Sequence, residues 1–444
     1  MFSNIIHYIL NLGAAIFLPV VMIILGLVVK LKPKKAIIAG ITLGVAFTGM
    51  SVVLDFMFGT ISPVASQFVE QTGIELNVID VGWPPTAAIS WAWPYALLMF
   101  PLQLGINLIM LIFKKTDILN VDLWNVWGKI FTATMVASVT GSIILGFVAA
   151  AIQVVLELII GALTQKDVQR LSGIPGVTCT HNMVLESVIM YPLNKIMDHI
   201  PGLNSHNFDA DKLKEKLGIF AENSVVGCII GFLLAIISGY SFAESLQTGM
   251  KVGTALVLFP MVAKLFMQAL APIADAASTY MKKKFNDREI YIGLDWPFLA
   301  GRAEIWIVCI LLVPVQLGLA LLMAKMGLSN TLPLAGIINI VMVVPALIAT
   351  NGNILRMFII GCLYSPIYLF VSSSFAQAMT NLATSVGALE VTAGQLVTCY
   401  NFELPLFRYF FANAFTGNIA AIIGLIVITA LFVYYVVDRK KHQA

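Results

Sequence analysis

Trp83-Pro84, Trp93 and Pro101-Leu102-Gln103-Leu104-Gly105 return 213 residues later as Trp296-Pro297, Trp306 and Pro314-Val315-Gln316-Leu317-Gly318. Leu and Ala recur by chance in any apolar chain, but Trp, Pro and Gln are rare, and here they keep one gapless register. The match extends outward with small slips. Gly40, Gly44, Pro63 and Ala65 pair with Gly249, Gly253, Pro272 and Ala274 at offset 209, and Gly141 and Ile143 with Gly352 and Ile354 at 211. Val177-Thr178-Cys179 pairs with Val397-Thr398-Cys399 at 220. Self-similarity at a fixed period reads as internal duplication, so the 444 residues divide into two related halves.

Hydrophobic residues make up 59% and charged residues 11% of the chain, with a mean hydropathy of +0.92. Soluble domains carry about 25% charged residues, so the solvent of this chain is a bilayer. A net charge of +3 gives no basis for a nucleic-acid partner. The cysteines at 179, 228, 309, 362 and 399 lack CxxC or CxxH spacing; no metal, cofactor or disulfide framework is expected. The N-terminus lacks the basic stretch of a cleavable leader, and none is expected.

About 20 apolar residues cross a hydrocarbon core. Spans are expected at Leu10–Val29, Ala36–Met57 and Ala87–Phe113, with 58–85 a long outer segment. The run 131–163 is too long for one span and reads as two, turning near Gly146. The second half supplies 223–241, 247–270, 300–324, 333–349 and 354–374, and a last span lies within 405–436. Lys30 to Lys35, Lys114-Lys115, Lys166 with Arg170, and Arg439-Lys440-Lys441 mark cytoplasmic ends. The N-terminus is then outside and the C-terminus inside.

Five spans per half force the second copy to enter upside down, and the lysines agree. The basic loop 30–35 corresponds to 239–244, which has no base; the base-free segment 58–85 corresponds to the one with Lys282, Lys283, Lys284 and Arg288. An inverted-topology repeat is a transporter signature. The expected fold is an all-α polytopic membrane protein of about eleven transmembrane helices: two inverted five-helix repeats, two re-entrant hairpins and a C-terminal helix. Its parts are 1–171, first repeat; 172–198, first hairpin; 199–222, cytoplasmic linker; 223–375, second repeat; 376–404, outer segment and second hairpin; 405–444, final helix and tail.

The hairpins are read from two polar, helix-breaking stretches, Gly173 to Glu186 and Gly394 to Glu403. Irregular backbone at membrane depth survives only against protein or a wet cavity, so the two tips are expected to meet there. Ionisable groups in such segments are functional candidates: His181 and Glu403 as catalytic groups and substrate ligands, and Glu186 as a ligand, with the neutral polar Thr178, Asn182 and Asn401 beside them as further substrate ligands. Asp80 and Asp295 precede the Trp-Pro motifs, each as an N-cap or a ligand. Trp83 and Trp296 read as sugar-stacking platforms or interfacial anchors. Asn351 and Asn353 are further ligand candidates, Arg356 an interfacial anchor, and Gln103 and Gln316 interhelical hydrogen bonds.

Asp80-Val81-Gly82-Trp83-Pro84, Val121-Asp122-Leu123-Trp124-Asn125-Val126-Trp127, Gly293-Leu294-Asp295 and Gly352-Asn353-Ile354-Leu355-Arg356 resemble the galactitol family of phosphotransferase-system (PTS) permeases, the enzyme IIC component, over essentially the whole chain. The resemblance extends to the ascorbate permeases. It implies an 11-span homodimer in the bacterial inner membrane, with a substrate-carrying core moving against a dimerisation scaffold. It further implies a polyol or sugar phosphorylated on arrival by a separate IIB, itself supplied by IIA and bearing a phosphocysteine. The second tip, Tyr400-Asn401-Phe402-Glu403, is bulkier than the small, Gly- and Ser-rich stretch of that family. The chain has no phosphate-cradling loop of its own, in keeping with a partner that brings the phosphate. The residues alone also suit an ion-coupled secondary transporter or a membrane-embedded enzyme.

Overall fold

The computed structural model describes residues 14–72, 76–122, 125–201, 203, 222–284, 289–333, 335–386 and 395–443. Most of the linker 199–222 and the expected outer residues 387–394 lie outside these, as do Arg288 and the side chains of Lys282 to Lys284.

The helices are α1 (Ala14–Val28), α2 (Pro33–Thr72), α3 (Trp83–Trp91), α4 (Met99–Ile112), α5 (Val126–Thr140), α6 (Ile143–Ser172) and α7 (Ser187–Met197). Then come α8 (Asn223–Ile237), α9 (Phe242–Lys284), α10 (Ala303–Lys325), α11 (Ile340–Thr350), α12 (Ile354–Ser385), α13 (Pro405–Ala414) and α14 (Ile419–Gln443). Among the described residues six helices are long and apolar enough to cross a membrane, and a seventh if α3 and α4, bent by 88°, form one span. Three more apolar helices are shorter.

Several boundaries differ from the sequence expectation. The turn in the long apolar run falls at Gly141, whose φ of 71° ends α5, with Ser142 capping α6 by accepting from Leu145 N at 3.3 Å. Gly146 lies inside α6, where a Cβ would sit 2.5 Å from Ala133 O; its smallness lets α5 and α6 approach rather than turn. Helix α2 continues to Thr72, so much of the expected outer segment 58–85 is helical. The last span is preceded by a separate helix, α13, and Arg439 to Lys441 belong to α14 itself.

The all-α expectation fails in one respect. Six short strands, β1 (Val78–Asp80), β2 (Ile118–Asn120), β3 (Val177–Cys179), β4 (Tyr291–Leu294), β5 (Thr331–Leu332) and β6 (Leu396–Thr398), form two parallel sheets ordered β5-β1-β6 and β2-β4-β3. Extended backbone inside a membrane protein must find hydrogen-bond partners, and here it finds them between the two halves of the chain. Strand β1 pairs Asp80 with Thr398, and β4 pairs Gly293 with both Asn120 and Thr178. Each sheet takes its centre from one half and both edges from the other. Gln103 and Gln316 do not join helices; they donate to the loops after β2 and β5, at Asp122 O (3.1 Å) and Ile337 O (2.9 Å).

Candidate functional site

The two sheets deliver two tips to one place. After β3 the chain turns at Thr180-His181 into a 3-10 turn, Asn182–Glu186, and α7; after β6 it turns through Tyr400 to Glu403 into α13. Between them lies a cavity of about 140 Å3 lined by Trp83, Asn125, Trp127, His181, Met183, Asp295, Trp296, Asn401 and Glu403, with apolar side chains of α2 and α11. Register partners from both halves share this lining: Trp83 with Trp296 at offset 213, and His181 with Asn401 and Met183 with Glu403 at 220.

His181 sits between two carboxylates, its Nε2 3.9 Å from Asp295 Oδ1 and 3.7 Å from Glu403 Oε1. Its Nδ1 accepts from Met183 N at 3.3 Å. A neutral imidazole carries one proton, so that bond leaves it on Nε2, facing the cavity as a donor. Asp295 caps the 3-10 turn Trp296–Leu299 by accepting from Trp296 N at 2.7 Å; cap and cavity roles coexist in one side chain. The result is a donor between two acceptors, with Asn401, Trp83 and Trp296 also in the lining; the Asn125 amide is engaged, its Nδ2 donating to the Asp122 carboxylate and its Oδ1 accepting from Trp127 Nε1. That array suits a small molecule carrying several hydroxyls.

The other residues singled out from the sequence do not line this cavity, and each has a local reason. Asp80 accepts from Gly82 N at 3.0 Å, from Tyr400 N at 2.9 Å and from Gly336 N, stapling the second tip to β1. Thr178 donates to Gly161 O at 2.7 Å. Asn182 packs its amide against Gly128, where a Cβ would come within 1.7 Å of Nδ2. Glu186 accepts from Tyr368 OH at 2.6 Å and Leu404 N at 3.2 Å, joining the two tips from behind. Asn351, at φ 55°, ends α11, and Asn353 caps α12 by accepting from Arg356 N. Arg356 reaches across to Asn194 and Asp198 at 2.8 and 2.7 Å, tying α12 to the end of the first hairpin.

Sequence reading missed Asn125, Lys129, Glu157 and Arg408. The last three are fully buried charges in apolar surroundings. A charge inside an apolar run was the available signal.

Apolar helices enclosing a carboxylate-lined cavity define a solute permease. Residues 8–394 match the family of PTS system sugar-specific permease components, and the chain belongs to that family. The galactitol-specific EIIC component of Escherichia coli K12 is 30% identical over 442 residues, spanning 97% of this chain and 96% of the relative. A putative permease IIC component of the same strain is 30% identical over 382 residues, 86% of this chain and 87% of the relative. Membership implies a sugar substrate, partner IIA and IIB components, and a multi-pass protein of the inner membrane.

Proposed function

We propose that this permease carries a hexitol, galactitol or a related polyol or sugar, in the cavity between the two tips and presents one hydroxyl to a phosphorylated IIB. The observation that carries this reading is His181 Nε2 poised 3.7 and 3.9 Å from Glu403 and Asp295 in a cavity that Trp83 and Trp296 also line. Phosphoryl transfer requires the attacking hydroxyl to be oriented in line and relieved of its proton. His181 donates to one substrate oxygen and holds it. Glu403, with Asp295 beside it, accepts the hydroxyl proton as the oxygen bonds to phosphorus and the cysteine thiolate of IIB departs. Trp83 and Trp296 offer flat apolar faces to the substrate's C–H edges.

The test is a binding screen of labelled hexitols and hexoses on the purified protein, followed by phosphorylation with IIA, IIB and phosphoenolpyruvate. Phosphorylated product is expected only when IIB is present, and it should persist in Cys179→Ser and Cys399→Ser, whose thiols are buried in the tips. Uptake driven instead by a proton or sodium gradient, without phosphoenolpyruvate, would reject this reading in favour of a secondary transporter.

The same reading takes the protein as a homodimer of inverted repeats, N-terminus outside and C-terminus inside. Eleven crossings follow if α5, the bent pair and the three shorter apolar helices each count once beside the six long ones. The interlocked sheets and the register partners at the cavity support it, because a pseudo-two-fold axis would exchange β1 with β4 and Trp83 with Trp296. A cysteine at position 75 should react with an impermeant reagent from outside the cell, and one at position 283 only from inside. Labelling of both from one side would remove the inversion.

A further inference from the structure

Behind Glu403 runs a chain of polar side chains that transport does not obviously require. Arg408, on α13, is fully buried. Its Nε donates to Thr132 Oγ1 at 2.8 Å, its Nη1 to Glu403 O, and its Nη2 to Gly128 O at 2.9 Å while standing 3.5 Å from Glu403 Oε2. The guanidinium also lies against two rings that meet edge to face, 4.9 Å from the Phe131 centroid and 5.5 Å from that of Phe402. Thr132 approaches Gln153 Oε1 at 2.6 Å, Gln153 Nε2 donates to Glu157 Oε1 at 2.8 Å, and Glu157 Oε2 meets Lys129 Nζ at 2.8 Å.

Thr132 accepts from Arg408, and its own hydrogen has two acceptors in reach, Gln153 Oε1 at 2.6 Å and Gly128 O at 3.1 Å; Gln153 turns its NH2 toward the Glu157 carboxylate. The chain links α13, α5 and α6, and ends on an ion pair with no exposure on either side chain. Buried ion pairs are weak contributors to stability, and apolar replacements of similar volume are often as stable or more so. Such a set therefore calls for a role beyond holding helices together. Here its near end is the carboxylate that lines the cavity.

We infer that Arg408, seated by Thr132 and the Gln153–Glu157–Lys129 relay, is a positioning residue that fixes the Glu403 carboxylate toward the substrate. The inference rests on the cavity reading above. Arg408 is not among the residues lining the cavity; it holds the backbone oxygen of residue 403 and stands 3.5 Å from its carboxylate. A lysine at 408 has no planar fork with which to hold all of these acceptors at once.

The experiment measures affinity and thermal midpoint for Thr132→Val, Thr132→Ser and Arg408→Lys. The probe is whichever of galactitol, sorbitol and mannitol the wild type binds most tightly. Thr132→Val, which keeps the volume and loses the hydroxyl, leaves Arg408 Nε without its acceptor, so it should weaken binding about tenfold or more and lower the midpoint; losing a hydrogen bond to a charged group has effects of that order. Thr132→Ser should restore wild-type affinity. Arg408→Lys should weaken binding at least as much as Thr132→Val, and is read alone if the valine variant does not fold. Wild-type affinity in Thr132→Val or Arg408→Lys overturns the inference, as does a loss in Thr132→Ser equal to that of the valine. Tyr191→Phe, which removes a 2.7 Å bond between α7 and Asp438 of α14, controls for stability: an equal affinity loss there makes the effect generic and also overturns it. Glu403→Gln separates the two readings. If it binds as wild type, the proposed substrate site falls; if it loses binding while Thr132→Val and Arg408→Lys keep theirs, only the positioning role falls.

Discussion

Asp80→Ala is expected to yield no recoverable folded protein. The carboxylate is buried and takes three backbone N–H groups, from Gly82, Gly336 and Tyr400. Alanine leaves all three as orphans, each costing about 1–3 kcal/mol, together a large part of the roughly 5–15 kcal/mol that holds a typical fold. Asp80→Asn keeps one acceptor oxygen and should fold with a lowered thermal midpoint. Size-exclusion profiles and melting curves of the two variants check this. A monodisperse Asp80→Ala protein melting like wild type would show that the staple contributes little.

Glu403→Gln and His181→Ala are expected to have the largest effects on binding while leaving a folded protein. Each removes one charged or donor group from the cavity, and a hydrogen bond involving a charged partner contributes about 1.5–3 kcal/mol, or roughly tenfold to a hundredfold in affinity. The two should differ in chemistry. Glu403→Gln retains a hydrogen-bond acceptor but no proton acceptor, so phosphorylation should fall further than binding. His181→Ala loses a donor, and binding and phosphorylation should fall together. Direct titration with labelled hexitol, beside single-turnover phosphorylation by IIB, distinguishes these patterns. Unchanged binding in both variants would return the residues to a structural role.

Much of the site was legible because the rare residues repeat. The Trp-Pro and Thr-Cys motifs led straight to the loops whose register partners line the cavity. The separation of Asp80 from Asp295 was not legible. Both stand just before a Trp-Pro pair, yet Asp80 meets Gly82 N beside it and two backbone donors brought from the other half, Gly336 N and Tyr400 N, while Asp295 lines the cavity. That difference is set by contacts as far apart as Asp80 and Tyr400, which no local pattern encodes. The strands were invisible for a simpler reason: two to four residues are too few to display a period of two. Arg408 was passed over: a charge in an apolar stretch was its one local signal, and its acceptor at Gly128 lies 280 residues away. Helix boundaries depended on which glycine turns and which packs, and Gly141 and Gly146 look alike until α5 and α6 are brought together.

The crossed sheets also constrain the order in which the chain can be built. Strands β2 and β3 have no ladder to each other; they wait for β4, which is made more than a hundred residues after β3. Strand β1 waits longer still, for β5 near residue 331 and then for β6 near residue 398. Chains usually fold from the N-terminus as they emerge from the ribosome, but here the first half leaves the translocon with gaps that only the second half fills. The nascent protein must keep those extended segments unpaired, and sheltered from other strands, until almost the whole chain has been made.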